Sequence, residues 1–253
     1  LAKELEPGLN ALFGLEYNRY ENEHSEIFDE ESSDRAFEEE VMLGGFASAP
    51  VKSEGGAISF DDAQETYTAR YTNETIALAF SITEEAIEDN LYDRLASRYT
   101  KALARSMAQT KQIKAANVLN NAFSTGVHAI GDGAALCSAA HPSLSGNQSN
   151  LLGTAADLNE TSRESMLIDI AGMTDERGLK IAIRGMKLII PKELQFIAER
   201  VMNSNLRSGT ADNDNNAMKN MGMLPEGATV NHFLTDTDAF FVKTDAPNGF
   251  KYF

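Results

Sequence analysis

An α+β fold is predicted by three observations: strand-like segments over residues 41–80, one unbroken helical pattern over about 84–123, and a strand–helix alternation after residue 180. The 253 residues carry 22 Lys plus Arg against 38 Asp plus Glu, a formal charge of −16, with 42% apolar residues. That is a soluble, globular balance with core enough for one or two ordered domains. No apolar run approaches the ~20 residues of a membrane span, and no basic-then-apolar signal segment opens the chain. A single cysteine, Cys137, rules out an internal disulfide and any multi-cysteine metal knuckle, so packing must hold the fold.

The charge is unevenly spread. The first 65 residues hold 17 acids and four bases, and the remainder 21 and 18, so the excess is N-terminal. Residues 21–40 are rich in carboxylates, including Glu38-Glu39-Glu40, and their apolar residues keep no period, which makes a poor core. Two readings stay open: a solvated acidic tail, or an arm that orders against a neighbouring surface through Tyr17, Tyr20, Ile27, Phe28 and Phe37. The arm reading predicts that trimming before about residue 40 impairs association more than it destabilises the subunit.

Turn signals at Gly44-Gly45, Ala49-Pro50 and Ser53-Glu54-Gly55-Gly56 separate Ala57-Ile58-Ser59-Phe60 from what precedes, and alternation continues from Glu65 to Thr72. The pattern predicts a long hairpin, too polar to be buried on both faces and marginal alone. Its apolar side chains Phe46, Ile58, Phe60, Tyr67 and Tyr71 are candidate contacts with a partner.

Ser81-Ile82-Thr83-Glu84 fits a capping box, acids crowd the first turns, and neither Pro nor Gly intervenes before Gly126. A helix of about 40 residues follows from this. Its row Ile87, Leu91, Leu95, Tyr99, Leu103 and Met107 recurs every fourth position and so drifts around the axis, which predicts a strut that changes partners along its length rather than a coiled coil. Arg94, Arg98, Lys101, Arg105, Lys111 and Lys114 make its second half basic. Among these, Arg98, Lys101 and Arg105 are candidate partners of the acidic arm of the same or an adjacent chain, against a solvated face as the simpler account and DNA as the weakest.

A loop-rich connector follows, with Ala134-Ala135-Leu136-Cys137 as a short strand, then a helix from near Asn159 to the region 175–178, with Met166, Leu167, Ile170 and Met173 on one face. Gly185 to Ile190 reads as a buried strand ended by Pro191, and Leu194, Ile197 and Val201 as the next helix. Residues 208–220 read as a loop, and Thr229 to Leu234 and Ala239 to Lys243 as two strands.

Catalytic and cofactor patterns fail. Cys137 precedes His141 by four residues, which admits a thiol hydrolase as an alternative, yet nothing supplies an electropositive site or a third group. The histidines His24, His128, His141 and His232 are scattered, without ligand spacing. The glycines of residues 126–133 lack the Gly-Lys-Ser/Thr of a phosphate loop, and Asp212-Asn213-Asp214-Asn215-Asn216 lacks the central glycine and closing glutamate of a calcium loop. No cofactor, metal or catalytic residue is expected, and no enzymatic role.

The order of parts resembles the major capsid proteins of tailed bacteriophages with the Hong Kong 97-type fold. Three phrases resemble segments of Mu-type prophage major head proteins: Ile76 through Glu85 leading into the long helix, Ala135 through Pro142, and Arg184 through Pro191. The resemblance spans most of the chain from about residue 40. It implies an N-terminal arm (1–38), an extended β-hairpin loop (39–80), a peripheral domain with its spine helix (81–179) and an axial domain (180–253); the family's chain normally returns to the peripheral domain through further strands, which are expected beyond Lys251-Tyr252-Phe253. It further implies self-assembly into pentamers and hexamers of an icosahedral shell around double-stranded DNA held without sequence-specific binding. Scaffold, portal or decoration proteins are candidate partners, and the virion, assembled in host cytoplasm, is the location. A cellular compartment shell of the same fold, enclosing protein cargo, is the related alternative.

Overall fold

The computed structural model describes residues 2–83, 85, 92–126, 131–206, 214–247 and 249–253, with side chains from Gly8 in the first helix and from Leu95 in the long one. In chain order the elements begin with helix α1 (Ala2–Tyr17), a 3-10 turn (Glu23–Glu26), and strands β1 (Asp29–Glu30), β2 (Phe37–Gly44) and β3 (Gln64–Thr72). Helices α2 (Tyr92–Asn120) and α3 (Glu160–Gly172), strand β4 (Gly185–Ile190), a 3-10 turn (Lys192–Leu194), and helices α4 (Gln195–Asn203) and α5 (Ala217–Met221) follow. Strands β5 (Ala228–Val230), β6 (Phe241–Thr244) and β7 (Lys251–Tyr252) complete the α+β set that the sequence predicts. No described helix is long and apolar enough to cross a membrane. The chain forms two compact units, one of residues 1–26 and 74–117, the other of residues 27–73 and 118–253.

In the first unit α1 is a helix that the sequence does not announce, because Pro7, Gly8 and Gly14 all argue against one. Phe13 and Tyr17, one turn apart, stack at 5.8 Å between ring centroids. The long helix is observed from Tyr92 to Asn120, with 121–123 as a turn, so it stops short of 123. The expected capping Glu84 and the early apolar positions Ile87 and Leu91 lie outside the described residues, as do His128 and Asp212-Asn213. The buried stripe of α2 runs one residue later than the sequence row: Ala96, Thr100 and Ala104 are buried, while Tyr99 is 44% exposed. Small side chains allow the closest approach, so size decides depth here more than hydropathy does. Gln112 is buried too, its Oε1 accepting the His24 N–H at 3.0 Å and its Nε2 lying 3.0 Å from His24 Nδ1 and 3.3 Å from Asn22 Oδ1. This polar node ties the 3-10 turn to the helix.

The second unit is organised by β4. It is the middle strand of a three-stranded sheet, parallel to β5 and antiparallel to β6, and Leu188, Ile189 and Ile190 are each at most 1% exposed. A central strand covered on both faces reads as a continuous apolar run, as the sequence shows. Helix α3 packs Leu167 and Ile170 into the same core, and α4 adds Ala198, with Leu194 just before it. Helix α3 starts with a reciprocal cap: Asn159 Oδ1 accepts the Ser162 N–H at 2.8 Å, and Ser162 Oγ accepts the Asn159 N–H at 3.0 Å. It ends at Gly172 rather than in the region 175–178, where Asp175 Oδ1 instead accepts the Arg177 and Leu179 N–H groups and folds a turn.

Beneath this core lies Arg163, 1% exposed. Its Nη2 donates to the Val201 carbonyl at 3.2 Å, and its Nε and Nη2 lie 3.1 and 2.8 Å from the Met218 sulfur. Burial pushes its pKa down from the ordinary value. Asn216 donates to the same Val201 carbonyl at 2.8 Å while its Oδ1 caps α5 by accepting from Met218 and Lys219. Two side chains thus collect a carbonyl of the last turn of α4. Helix α5 lies in a stretch that the sequence reads as loop; its Asn216 cap and left-handed Gly222 end enclose a single short turn.

Three strand expectations need correction. Residues 134–137 form bends and no strand, because the Asn150 side chain bonds Leu136 O and the Ser138 N–H and satisfies that backbone without a ladder. The strand expected at 229–234 stops at Val230, where Asn231 Oδ1 accepts the Phe233 N–H and bends the chain. Residues 57–60 belong to no strand: β3 pairs instead with residues 37–44, whose first half lies in the acidic run. Of the two readings left open for residues 21–40, the solvated tail fails, since Ile27 is fully buried and Phe28 is 7% exposed, packed 5.5 Å from Phe250; the surface that these two anchors meet belongs to the same chain.

Two outcomes follow for the unassembled subunit in urea. A Cβ at Gly185 would come within 2.6 Å of Leu167 and 2.9 Å of Val242, so Gly185→Ala should lower stability by about 1–3 kcal/mol through overpacking. Ile27→Ala should cost about 2–5 kcal/mol through the cavity it leaves, an outcome opposite to that of a solvated tail.

Candidate assembly surfaces

The ribbon of β2 and β3 is an antiparallel pair in register from Phe37 opposite Thr72 to Gly44 opposite Gln64, with an irregularity between Val41 and Leu43. A two-stranded ribbon cannot cover its own faces, and Val41, Met42 and Leu43 are half or more exposed. Its acidic stretch is neutralised locally. Glu39 pairs with Arg70 at 2.9 Å, and the Arg70 guanidinium lies 4.1 Å over the ring of Phe37. Glu40 takes Lys251 as its partner, and Glu31 lies 3.5 Å from the same ammonium. The hydrogen bond to Glu40 raises the pKa of Lys251 against the opposing effect of burial.

The last residues of the chain complete this base. Strand β7 pairs in parallel with β1, Phe253 packs 5.4 Å from Tyr71, and Lys243 lies 3.1 Å from Asp29. Tyr71 has its pKa raised by burial and then by Glu40. Tyr67 donates its hydroxyl to Pro142 O at 2.7 Å, and its pKa is raised by burial first. Gly131 sits where a Cβ would meet Thr68 O at 2.8 Å, so only glycine lets that loop approach the ribbon.

Beyond the ladder, residues 45–63 leave Phe46 59%, Val51 100%, Ile58 69% and Phe60 96% exposed. Among the sequence candidates, then, Phe46, Ile58 and Phe60 lie on open surface, joined by Val51, which the alternation pattern passed over. Phe37 and Tyr20 are about 40% exposed and each carries an arginine against its ring, Arg105 lying 6.0 Å from Tyr20. Tyr17, Tyr67 and Tyr71 are half-buried, and Phe28 is spent inside its own unit. Arg98, Lys101 and Arg105 are exposed on α2. Lys101 and Arg105 line a cleft of about 360 Å³ with Glu16, Tyr20 and Gln109, so this part of α2 lies beside the end of α1. Lys114 reaches Glu74, whose pKa it lowers through that hydrogen bond.

The thiol pattern resolves differently from a nucleophile and its base. His141 Nδ1 lies 2.7 Å from Asp132 Oδ2, and burial pushes the Cys137 thiol up to about 11. A protonated, inert thiol is the opposite of what thiolate chemistry needs. Among the described residues, no group of three His, Cys, Asp or Glu side chains could hold a metal ion.

A family model described as phage capsid protein matches residues 66–253, most of the chain. The chain belongs to the phage capsid protein family. It is a major capsid subunit, a structural protein of the virion, and neither the compartment-shell nor the hydrolase alternative is favoured by this match. No curated protein matches it. Its fold is that of phage capsid subunits: the bacteriophage JBD30 capsid shares a TM-score of 0.65 at 12% identity, over 85% of this chain and 92% of that one. The procapsid of bacteriophage JBD30 gives 0.58 at 13% identity, over 92% and 98%. The JBD30 capsid decorated with minor capsid protein trimers gives 0.57 at 14%, over 83% and 89%.

The raised thiol has a direct chemical readout. Cys137 moves from 9.0 to about 11, so at pH 8 its thiolate fraction should be about a hundredfold below that of the unfolded chain, with iodoacetamide labelling slowed at least in proportion. Because an acid whose folded pKa is raised loses stability as pH climbs above its unfolded value, the subunit should weaken between about pH 9 and 11.

Proposed function

We propose that copies of this chain associate as pentamers and hexamers of an icosahedral shell that encloses double-stranded DNA, assembled in the host cytoplasm and retained in the virion. The observation that carries this reading is the loop 45–63, with Val51 and Phe60 almost wholly in solvent and no cover from the chain that bears them. Burying such side chains returns about 1.5–3 kcal/mol each, so a neighbour that covers them gains strongly for every contact repeated around a ring. Membership of the capsid family supplies the neighbour: another copy.

In this reading residues 1–38 act as an arm, 39–80 as the extended loop, 81–179 as a peripheral domain built on α2, and 180–253 as an axial domain built on β4, in the Hong Kong 97-type arrangement. The exposed Arg98, Lys101 and Arg105 offer a basic strip to acidic segments of an adjacent subunit. The shell binds its DNA without reading sequence, since a net charge of −16 opposes the many-phosphate adhesion that basic proteins show. The JBD30 capsid decorated with minor capsid protein trimers motivates a further partner class, decoration proteins. Its role is structural, with no catalysis assigned to any residue.

The test is assembly after removal of the apolar tip. Val51→Asp with Phe60→Asp should abolish shells and rings in electron micrographs while leaving the urea midpoint of the unassembled subunit unchanged. Shells of normal size from this variant would overturn the role given to the loop. Particles purified with the parent chain should contain double-stranded DNA; protein cargo in its place would overturn the genome-shell reading.

A further inference from the structure

The loop 45–63 leaves the body at one point, and that point is built. Asp61 Oδ1 and Oδ2 lie 2.6 and 2.7 Å from Arg177 Nη2. The Ala47 N–H donates to Asp61 Oδ2 at 2.8 Å, across the mouth of the loop. One carboxylate therefore joins both limbs of the loop, just past the end of the ladder at Gly44 and Gln64, to a residue 116 positions away. Arg177 is in turn fixed by its fold. Asp175 Oδ1 holds the Arg177 and Leu179 N–H groups, and Gln148 Nε2 donates to Asp175 O at 2.8 Å. Ser145 N–H donates to Glu176 O at 3.0 Å, and Leu144, beside Ser145, packs so close to Gly44 that a Cβ there would come within 2.9 Å. Turns 143–148 and 175–180 form one platform, and the neck of the ribbon rests on it at Gly44 and at Asp61.

We propose that Asp61 and Arg177 form a neck brace that fixes the direction in which the apolar tip leaves the subunit. A partly exposed carboxylate–guanidinium pair adds little to global stability, but a carboxylate held by Arg177 Nη2 on one side and by the Ala47 N–H on another is constrained in angle as well as distance. Its value is directional, because the loop has no regular structure between the ladder and the tip and its aim must come from outside. Pre-setting that aim removes part of the ordering cost that a mobile loop meets on docking. The brace stands on the geometry alone; its effect on shells rests on the reading proposed above.

Spin labels at Lys52→Cys on the loop and Lys192→Cys in the 3-10 turn after β4, with Cys137→Ser, report the aim on the unassembled full chain by double electron–electron resonance. Both label sites are exposed and lie in the same compact unit. The parent should give one narrow distance peak, and Asp61→Asn and Arg177→Gln should each lose it to a broad distribution. Their combination should be no broader than either alone, because both remove one interaction. Acid should act as the substitutions do. Arg177 holds the Asp61 carboxyl below its ordinary value of 3.8, so the peak should persist through that pH and broaden only as pH falls through the lower folded value. A peak that stays narrow in the single variants, or a parent distribution already broad, would overturn the brace. Failed assembly with an intact narrow peak would instead count against the shell reading.

Discussion

A ribbon of two strands has no third strand to lean on, and that constraint governs the larger unit of this protein. The ladder between residues 37–44 and 64–72 is too polar for a core and too thin to stand alone. Its base is consequently gripped from several directions at once. Lys251 joins Glu31 and Glu40, Phe253 meets Tyr71, Tyr67 reaches Pro142, and the turn at Gly131 closes on Thr68. Grip at the base and freedom at the tip belong together, since a loop offered to a neighbour needs a firm root to transmit the contact.

What the sequence made legible was periodicity. The buried strand before Pro191, the face of Leu167 and Ile170, and a helix start near Asn159 all rest on local patterns, and the structure repeats them. Side-chain substitutes for backbone partners were illegible: Asn150 replaces a strand partner for residues 136–138, and Asn231 ends β5 early. Each is an amide whose effect depends on where its chain happens to pass. Ile27 and Phe28 were legible as anchors, but what they anchor to was not, because the partner, Phe250, lies more than two hundred residues away in the same chain. Among the candidate contacts, the tip aromatics were readable as apolar residues between turn signals, while Val51 lacked any pattern and Phe28 was indistinguishable from them.

At 12–14% identity to the JBD30 capsid chains, few side chains are shared, yet the course of the backbone is. That is the expected division when a fold is carried by element order and apolar patterning, while surfaces change freely. The family match begins at residue 66, inside β3, so the segments before it lie outside that match. They include the acidic run and the whole exposed tip.

The guanidinium of Arg163 has an evolutionary consequence. It is enclosed, faces a thioether, and shares the Val201 carbonyl with Asn216. Positions 163, 216 and 218 therefore form one inheritable set. A lineage that exchanges the arginine for an apolar residue sheds an ionic desolvation burden and frees residue 218 from facing a cation, so that a branched aliphatic becomes acceptable there. An exchange at 218 alone keeps the burden and loses its relief, so the two changes are not independent.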